Sequence, residues 1–306
     1  MDIRVLEYFL AVAREQTISG AAQALHMTQP PLSKQLKELE EELGKQLLIR
    51  GARRVTLTRE GMLLRERAQQ IVELMEKTRA EVSASGREIA GDVYLGGGES
   101  EGMRLIAQTI RQVQREHPQV RFHFFSGDAY DVTERLDRGL IDFGTLIEPV
   151  DLSKYDSIRL PRPDVWGLLM RRDSPLAQKE TVTPADLLGL PLLLSRQQTG
   201  ENGLAGWLGY SVEKLQTAAT GNLVYNLRLL AEEGAGYALT LDRLSPAGPD
   251  SPLCFRPLEP RLESWMHLVW KKYQVFSPAA ELLLKTLREN LAENPQNLEL
   301  AATEKE

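Results

Sequence analysis

Leu32, Leu36, Leu39 and Leu43 recur at spacings of four, three and four within the segment TISGAAQALHMTQPPLSKQLKELEEELGKQLLIRGARRVTLTREG, residues 17–61. Such spacing predicts one buried stripe along a helix. At about 100° per residue it also fixes which side chains face outward. Pro30, Lys34 and Lys37 lie opposite the leucines, Ser33 on the flank and Gln29 at the helix mouth. Thr28 is the expected N-cap, and Pro30 and Pro31 fall in the first turn, where a missing N–H costs little. Upstream, a shorter helix is predicted to start from Ser19, a good capping residue, with Ala21, Ala22 and Leu25 as a small apolar face. His26 and Met27 make the turn between the two helices. Downstream, Leu47–Arg50 and Val55–Thr58 read as β-rich runs flanking a turn that carries Arg53 and Arg54.

Hydrogen-bonding side chains and positive charge near a helix N-terminus are what a recognition helix brings to a major groove. Arginines at the tip of a β-wing suit phosphate or a narrow minor groove. The candidate DNA-contacting residues are therefore Gln29, Pro30, Ser33, Lys34, Lys37, Arg53 and Arg54. The acids Glu38, Glu40, Glu41 and Glu42 gather in the C-terminal half of the helix, which is expected to point away from phosphate. Taken singly, each piece has a plainer reading, since a leucine stripe is usually core and a charge run usually a solvated face. The ordered set is specific. It resembles the winged helix-turn-helix of LysR-type transcriptional regulators through Ala21-Ala22, Leu25, Thr28-Gln29-Pro30, Leu32-Ser33, Leu39-Glu40, Leu43-Gly44, Leu47, Arg50, Arg53, Leu57-Thr58 and Gly61. Two positions depart from that pattern. Gly20 stands where a larger or basic residue is usual, and Leu48-Ile49 where an aromatic and an acid are usual; neither change removes a DNA-facing group.

The chain has 306 residues, which points to about two domains. Its 42% hydrophobic and 26% charged content is that of an ordinary globular protein. No apolar run approaches the ~20 residues of a membrane span. Met1–Arg4 leads straight into an amphipathic helix (Leu6, Phe9, Leu10, Ala13), so a cytoplasmic protein without a signal peptide, and with no membrane partner, is expected. The single cysteine, Cys254, allows no internal disulfide and is expected to be a buried or inert thiol. The net charge of −6 is uneven: residues 1–90 hold 14 Lys and Arg against 13 Asp and Glu. Phosphate attraction is therefore local, and base contacts and dimerisation must carry more of the affinity.

Residues 59–88 form the expected linker. Leu64, Ala68, Ile71, Met75, Thr78, Val82 and Ser85 alternate spacings of four and three, a heptad-like seam with charged flanks. Such a helix pairs with a copy of itself or packs inside its own subunit. The resemblance implies the former, and a homodimer or homotetramer.

After Gly91 the pattern is βαβαβ: strands at 92–98, 120–125 and 140–147, with helices from Ser100 to Glu116 and from Tyr130 to Arg138. A second α/β unit follows, with strands at 164–170, 191–195, 216–220 and 237–239, helices at 183–188, 203–209 and 222–233, a strand at 264–270 and a last helix from Ser277-Pro278 to about Asn290. The expected fold is α/β overall. It comprises an all-α winged helix-turn-helix (1–58), the linker helix (59–88) and a two-lobed, periplasmic-binding-protein-like effector domain (91–294). Lobe 1 is expected at 91–160 and 271–294, and lobe 2 at 161–270.

Ligands in such folds sit between the lobes, at strand C-termini and helix N-termini. That rule selects Ser100, Asp128, Thr145, Ser195, Arg196 and Asn222 as effector-binding candidates. Ser100 also matches the family's effector-binding Ser or Thr, whereas Asp128 stands where the family often has Thr or Asn. Ser100 and Asn222 have the competing reading of plain helix caps, and Arg196 that of a surface arginine. Asp128, with Glu99 and Glu101 nearby, favours an effector bearing an amino group. An amino acid would use Ser100 and Arg196 for its carboxylate and Asp128 for its amine.

Gly96-Gly97-Gly98 has neither dinucleotide-binding nor P-loop spacing, and His26, His117, His123 and His267 show no metal-ligand spacing. No catalysis, cofactor or metal is expected. A solute-binding module would explain the C-terminal half but not residues 17–61. A DNA-binding protein without ligand control would leave the two lobes unused. The resemblance implies double-stranded DNA at a near-palindromic promoter site, a small-molecule effector and RNA polymerase as partners.

Overall fold

The leucine stripe organises the first part of the fold. In the computed structural model, which describes residues 1–51, 54–83, 89–196, 204–244 and 251–293 (for 76 and 80–83 the backbone alone), the chain divides into two compact units, Met1–Ser83 and Ala84–Glu306.

The first unit has α1 (Ile3–Glu15), α2 (Ile18–Ala24), α3 (Gln29–Leu43), β1 (Leu48–Arg50), β2 (Val55–Leu57) and α4 (Arg59–Ser83). Leu32, Leu36 and Leu39 of α3 are buried in one cluster with Phe9, Val12, Ala21 and Leu48. Each such side chain contributes about 1.5–3 kcal/mol of burial. Leu43 does not belong to the stripe. It is 40% exposed, because the left-handed cap at Gly44 turns the chain back and Leu47 and Leu48 fill the core instead. The cap of α2 is Thr17, two residues before Ser19; its hydroxyl accepts from the Gly20 N–H at 3.0 Å. Thr28 is the N-cap of α3 by backbone but makes no side-chain cap bond. The N–H groups that a capping hydroxyl would reach belong to positions N2 and N3, and here those are Pro30 and Pro31. β1 and β2 form the antiparallel wing, with Leu48 opposite Leu57 and Arg50 opposite Val55.

α4 splits the heptad reading in two. Ala68 is fully buried and Leu64 packs against the core of its own unit, so the start of the seam is covered within the unit, chiefly by α1. Farther along, Ile71 and Leu74 are exposed, as are Met62 and Leu63 on the flank. Ser85 lies outside the described residues, as does the side chain of Val82.

The second unit runs β3 (Gly91–Gly97), α5 (Met103–Glu116), β4 (Val120–Ser126), α6 (Ala129–Asp137), β5 (Phe143–Ile147), β6 (Tyr155–Arg159), β7 (Asp164–Arg171), β8 (Leu192–Ser195), α7 (Leu204–Leu208), β9 (Thr217–Gly221), α8 (Val224–Glu232), β10 (Tyr237–Leu241), β11 (Leu253–Pro257), β12 (Glu263–Ser264), β13 (Met266–Lys271) and α9 (Pro278–Ala292). The first sheet has the order β4-β3-β5-β13-β6 and the second β11-β7-β10-β8-β9, with β12 also on β7. The expected parallel βαβαβ is present: β3 pairs in parallel with both β4 and β5. Two antiparallel strands, β6 and β11, were not legible as strands. The lobe boundary at residue 270 also moves. The apolar run 264–270 is split, with Ser264 pairing β7 in the second sheet and Met266–Lys271 pairing β5 and β6 in the first. Cys254 is buried on β11. Each sheet has its own core, one around Leu95, Ile106, Phe143 and Leu283 and one around Leu168, Leu192 and Leu239.

Candidate functional sites: an exposed helix face and an interlobe cleft

Burial of Leu32, Leu36 and Leu39 turns the opposite side of α3 to solvent. Gln29, Pro30, Lys34 and Lys37 are exposed there. The lysines reach forward one turn to Glu38 and Glu41 at 3.7 and 3.5 Å. Exposed pairs of this kind are weak, so both ammonium groups remain available to phosphate. Ser33 is half-buried and accepts from Arg50 Nη1 at 3.4 Å, which ties the wing to the helix. Arg54 is exposed beside the wing turn, and Arg53 lies outside the described residues. Glu40 does not simply face away with its acidic neighbours. Its Oε1 accepts from the Leu47 and Leu48 N–H groups at 2.7 and 2.9 Å, anchoring the first wing strand to α3. Nothing local in the sequence announces this contact.

In the second unit a cleft of about 290 Å3 opens between the two sheets. Asp128, Thr145, Ser195 and Asn222 line it; Ser100 and Arg196 do not. α5 starts at Met103 after a turn at Glu101–Gly102, so Ser100 is not its cap. The Ser100 hydroxyl accepts from the Gly102 N–H and donates to Asp164 Oδ2 at 2.5 Å. Asp164 is 1% exposed. Burial pushes its carboxyl above the usual range, against the Ser100 hydrogen bond, and Asp242 adds to the rise. Asn222 is not a cap either: Leu223 takes that position, and Asn222 is exposed at the cleft. Asp128 caps α6, with Oδ1 accepting from the Asp131 N–H and Oδ2 accepting from Arg196 Nη2 at 2.9 Å. The arrangement expected for an amino acid therefore fails at its carboxylate end. Ser100 is committed to Asp164, and Arg196 to Asp128.

Glu99, Glu148, Trp166, Thr240, Glu263 and Ser264 also line the cleft. Glu99 crosses it, its Oε2 accepting from the Val224 N–H at 2.5 Å, and Glu148 Oε1 lies 2.7 Å from His267 Nε2. Glu99 and Glu148 each follow the C-terminal end of a strand, the position that the ligand rule for α/β sheets points to. Thr145 is 3% exposed, and its hydroxyl has no hydrogen-bond partner. It sits opposite Gly97 in the sheet, where a Cβ on residue 97 would fall 1.8 Å from the Thr145 hydroxyl oxygen.

A winged helix-turn-helix with an exposed basic helix face, followed by a two-lobed α/β domain with a cleft, defines a DNA-binding protein that carries a small-molecule receptor. Residues 3–62 match the bacterial regulatory helix-turn-helix proteins of the lysR family, and residues 86–292 match the LysR substrate binding domain. The chain belongs to the LysR family of DNA-binding transcriptional regulators. It is 32% identical over 204 residues to the HTH-type transcriptional regulator BsdA of Bacillus subtilis, covering 66% of this chain and 69% of that protein. To the uncharacterized HTH-type transcriptional regulator YfeR of Shigella flexneri it is 27% identical over 295 residues, 94% of each chain. The crystal structure of CbnR, a LysR family transcriptional regulator, shares the fold with a TM-score of 0.73 at 21% identity, over 94% of this chain and 99% of that one. CbnR has also been solved with its target DNA, and that structure aligns with a TM-score of 0.71. Among the described residues no helix is long and apolar enough to cross a membrane.

Proposed function

We propose that this regulator acts in the cytoplasm as a homodimer or homotetramer on a near-palindromic promoter site, without catalysing a reaction. α3 enters the major groove with Gln29, Pro30, Ser33, Lys34 and Lys37, and the wing turn with Arg53 and Arg54 lies on the flanking backbone. The exposed apolar residues of α4, Ile71 and Leu74, are the surface a second copy would cover. A small molecule bearing an amino group enters the cleft between the lobes, among Asp128, Thr145, Ser195 and Asn222, and changes their closure. That alters the spacing of paired DNA-binding heads and hence the recruitment of RNA polymerase. The ligand shifts the equilibrium only by binding one arrangement better than the other.

The observation that carries the DNA reading is the outward face of α3, fixed in rotation by three buried leucines. The test is fluorescence anisotropy on a promoter duplex across a salt series. Lys34→Ala and Arg53→Ala each weaken binding, and the loss of one phosphate contact lowers the salt slope by about 1. Oligomer size stays unchanged in both variants. Wild-type affinity in both would overturn the docking.

A further inference from the structure

The polar lining of the cleft is one-sided. Glu99, Asp128, Glu148 and Glu263 line it, and no Lys, Arg or His does so among the described residues. Three of these carboxylates have a basic side chain beside them: Arg196 beside Asp128, His267 beside Glu148 and Arg261 beside Glu263. Glu99 is different, because its partner is the peptide N–H of Val224. The places where a carboxylate ligand would dock in such a fold are already taken. The N-terminus of α8 receives Glu99, and that of α6 receives Asp128. A helix N-terminus attracts anions, and here the protein supplies them itself.

A second observation points independently to a ligand. The Thr145 hydroxyl is buried, lines the cleft and lacks a partner, although leaving a buried hydroxyl unpaired is costly. Gly97 makes room for it, as described above. Beside the polar Ser195, Asn222, Thr240 and Ser264, the wall carries apolar side chains, among them Ile147, Trp166, Leu227 and Leu239.

We propose that the cleft takes an amine on an apolar body, without a carboxylate, its ammonium donating to Glu99 and to the Thr145 hydroxyl. The cavity of about 290 Å3 is at the small end of ligand pockets, which run from about 300 Å3 upward. The proposal rests on the cleft being the effector site, and it removes the amino acids from the candidate effectors.

Three probes with the same phenyl ring test it by calorimetric titration of the full chain: phenethylamine, phenylpropionate and phenylalanine. Phenethylamine binds. Phenylpropionate, which lacks the ammonium, binds at least about tenfold more weakly, the factor a lost charge-assisted hydrogen bond supplies. Phenylalanine, which keeps the ammonium but brings a carboxylate among the acidic side chains, also binds at least about tenfold more weakly. Glu99→Gln keeps an acceptor for the Val224 N–H but removes the charge, and Thr145→Val keeps the shape but removes the hydroxyl. Each weakens phenethylamine by about tenfold. Leu227→Trp, which fills the cleft, abolishes its binding. Phenylpropionate or phenylalanine binding as tightly as the amine overturns the proposal, as does an amine indifferent to Glu99→Gln, or no binding of the amine at millimolar concentration. If an anionic probe binds and Leu227→Trp abolishes it, the cleft survives as the effector site and only the amine class fails. If the amine binds as described but leaves promoter affinity and oligomer size unchanged, the cleft is an amine site but the regulatory reading fails, and with it the exclusion of amino acids as effectors.

Discussion

Gly61 is the residue at which two well-calibrated effects oppose each other. It lies in the first turn of α4, and replacing a helical glycine with alanine ordinarily stabilises by about 1 kcal/mol. A Cβ at Gly61, however, would fall 2.2 Å from the carbonyl oxygen of Leu47 and 3.1 Å from its carbonyl carbon. That is more than about 1 Å inside ordinary contact. The obstacle is backbone, so no rotamer change relieves it. Moving the Leu47 carbonyl breaks the Thr58 N–H bond to it at 3.0 Å and disturbs the Thr58 hydroxyl, which donates to the Gln46 carbonyl at 2.8 Å and accepts from the Gly61 N–H at 2.9 Å. Two hydrogen bonds at about 1 kcal/mol each plus overpacking of about 1–3 kcal/mol exceed the gain in propensity. Gly61→Ala therefore costs about 2–4 kcal/mol, a fall of roughly 10–30 °C for a unit the size of Met1–Ser83. The assay is calorimetry of the full chain, with hydrogen exchange in α1–α3 to assign the transition, followed by anisotropy on a promoter duplex. Because Leu47 leads into the wing, DNA affinity falls as well. Gly206→Ala is the control: its Cβ meets nothing within 4 Å inside α7, so the second unit gains about 0.5–1 kcal/mol. An unchanged or raised transition for Gly61→Ala would refute the steric argument.

Other consequences follow from burial and charge. Leu36→Ala costs about 2–5 kcal/mol and abolishes DNA binding with it, whereas Leu43→Ala stays within about 0.5 kcal/mol; equal effects on chemical denaturation would contradict the assignment of Leu43 to the surface. Asp164 has a carboxyl pushed up by burial, so the folded state holds its proton more tightly than the unfolded chain. Stability then declines as pH rises from about 4 through the raised value. Asp164→Asn removes that decline, so its melting temperature gains on the wild type as pH rises above about 4, and a gap independent of pH would count against it. Tyr155 is pushed up to about 12 by burial and by its hydrogen bond to Asp137. Tyr155→Phe loses about 1 kcal/mol at neutral pH. The unfolded tyrosine ionises from about pH 10 while the folded one does not, so the wild-type advantage shrinks above that pH; a constant advantage would refute the shift.

The parts of this protein that were legible from sequence are those written in short-range periodicity. The stripe of α3, the turn at His26, the wing strands and the parallel β3–β5 unit all follow from neighbours within a few residues, where chain geometry alone decides which side faces in. The strand-end rule likewise placed Thr145, Ser195 and Asn222 at the cleft, because it depends on topology rather than on partners. What sequence could not show are the pairings across it. Ser100 finds Asp164 at a separation of 64 residues, Asp128 finds Arg196 at 68, and Glu99 finds the Val224 N–H at 125. A serine beyond a strand end has the same local pattern whether its hydroxyl faces a ligand or a buried carboxylate. The short β6 and β11 escaped for a related reason: their identity comes from antiparallel partners far away in the chain.

This limit bears directly on the ligand. Read one residue at a time, Asp128 and Arg196 are an acid and a base ready for an amino acid, and Ser100 is a hydroxyl ready for its carboxylate. In the fold the acid and the base neutralise each other, and the hydroxyl serves Asp164. What remains facing the cleft is decided by subtraction: Glu99, whose partner is a peptide N–H, Glu148, whose partner is an imidazole, and Thr145, whose hydroxyl has no partner. The charge of a binding site is the sum left after internal pairing, and that sum favours a cation.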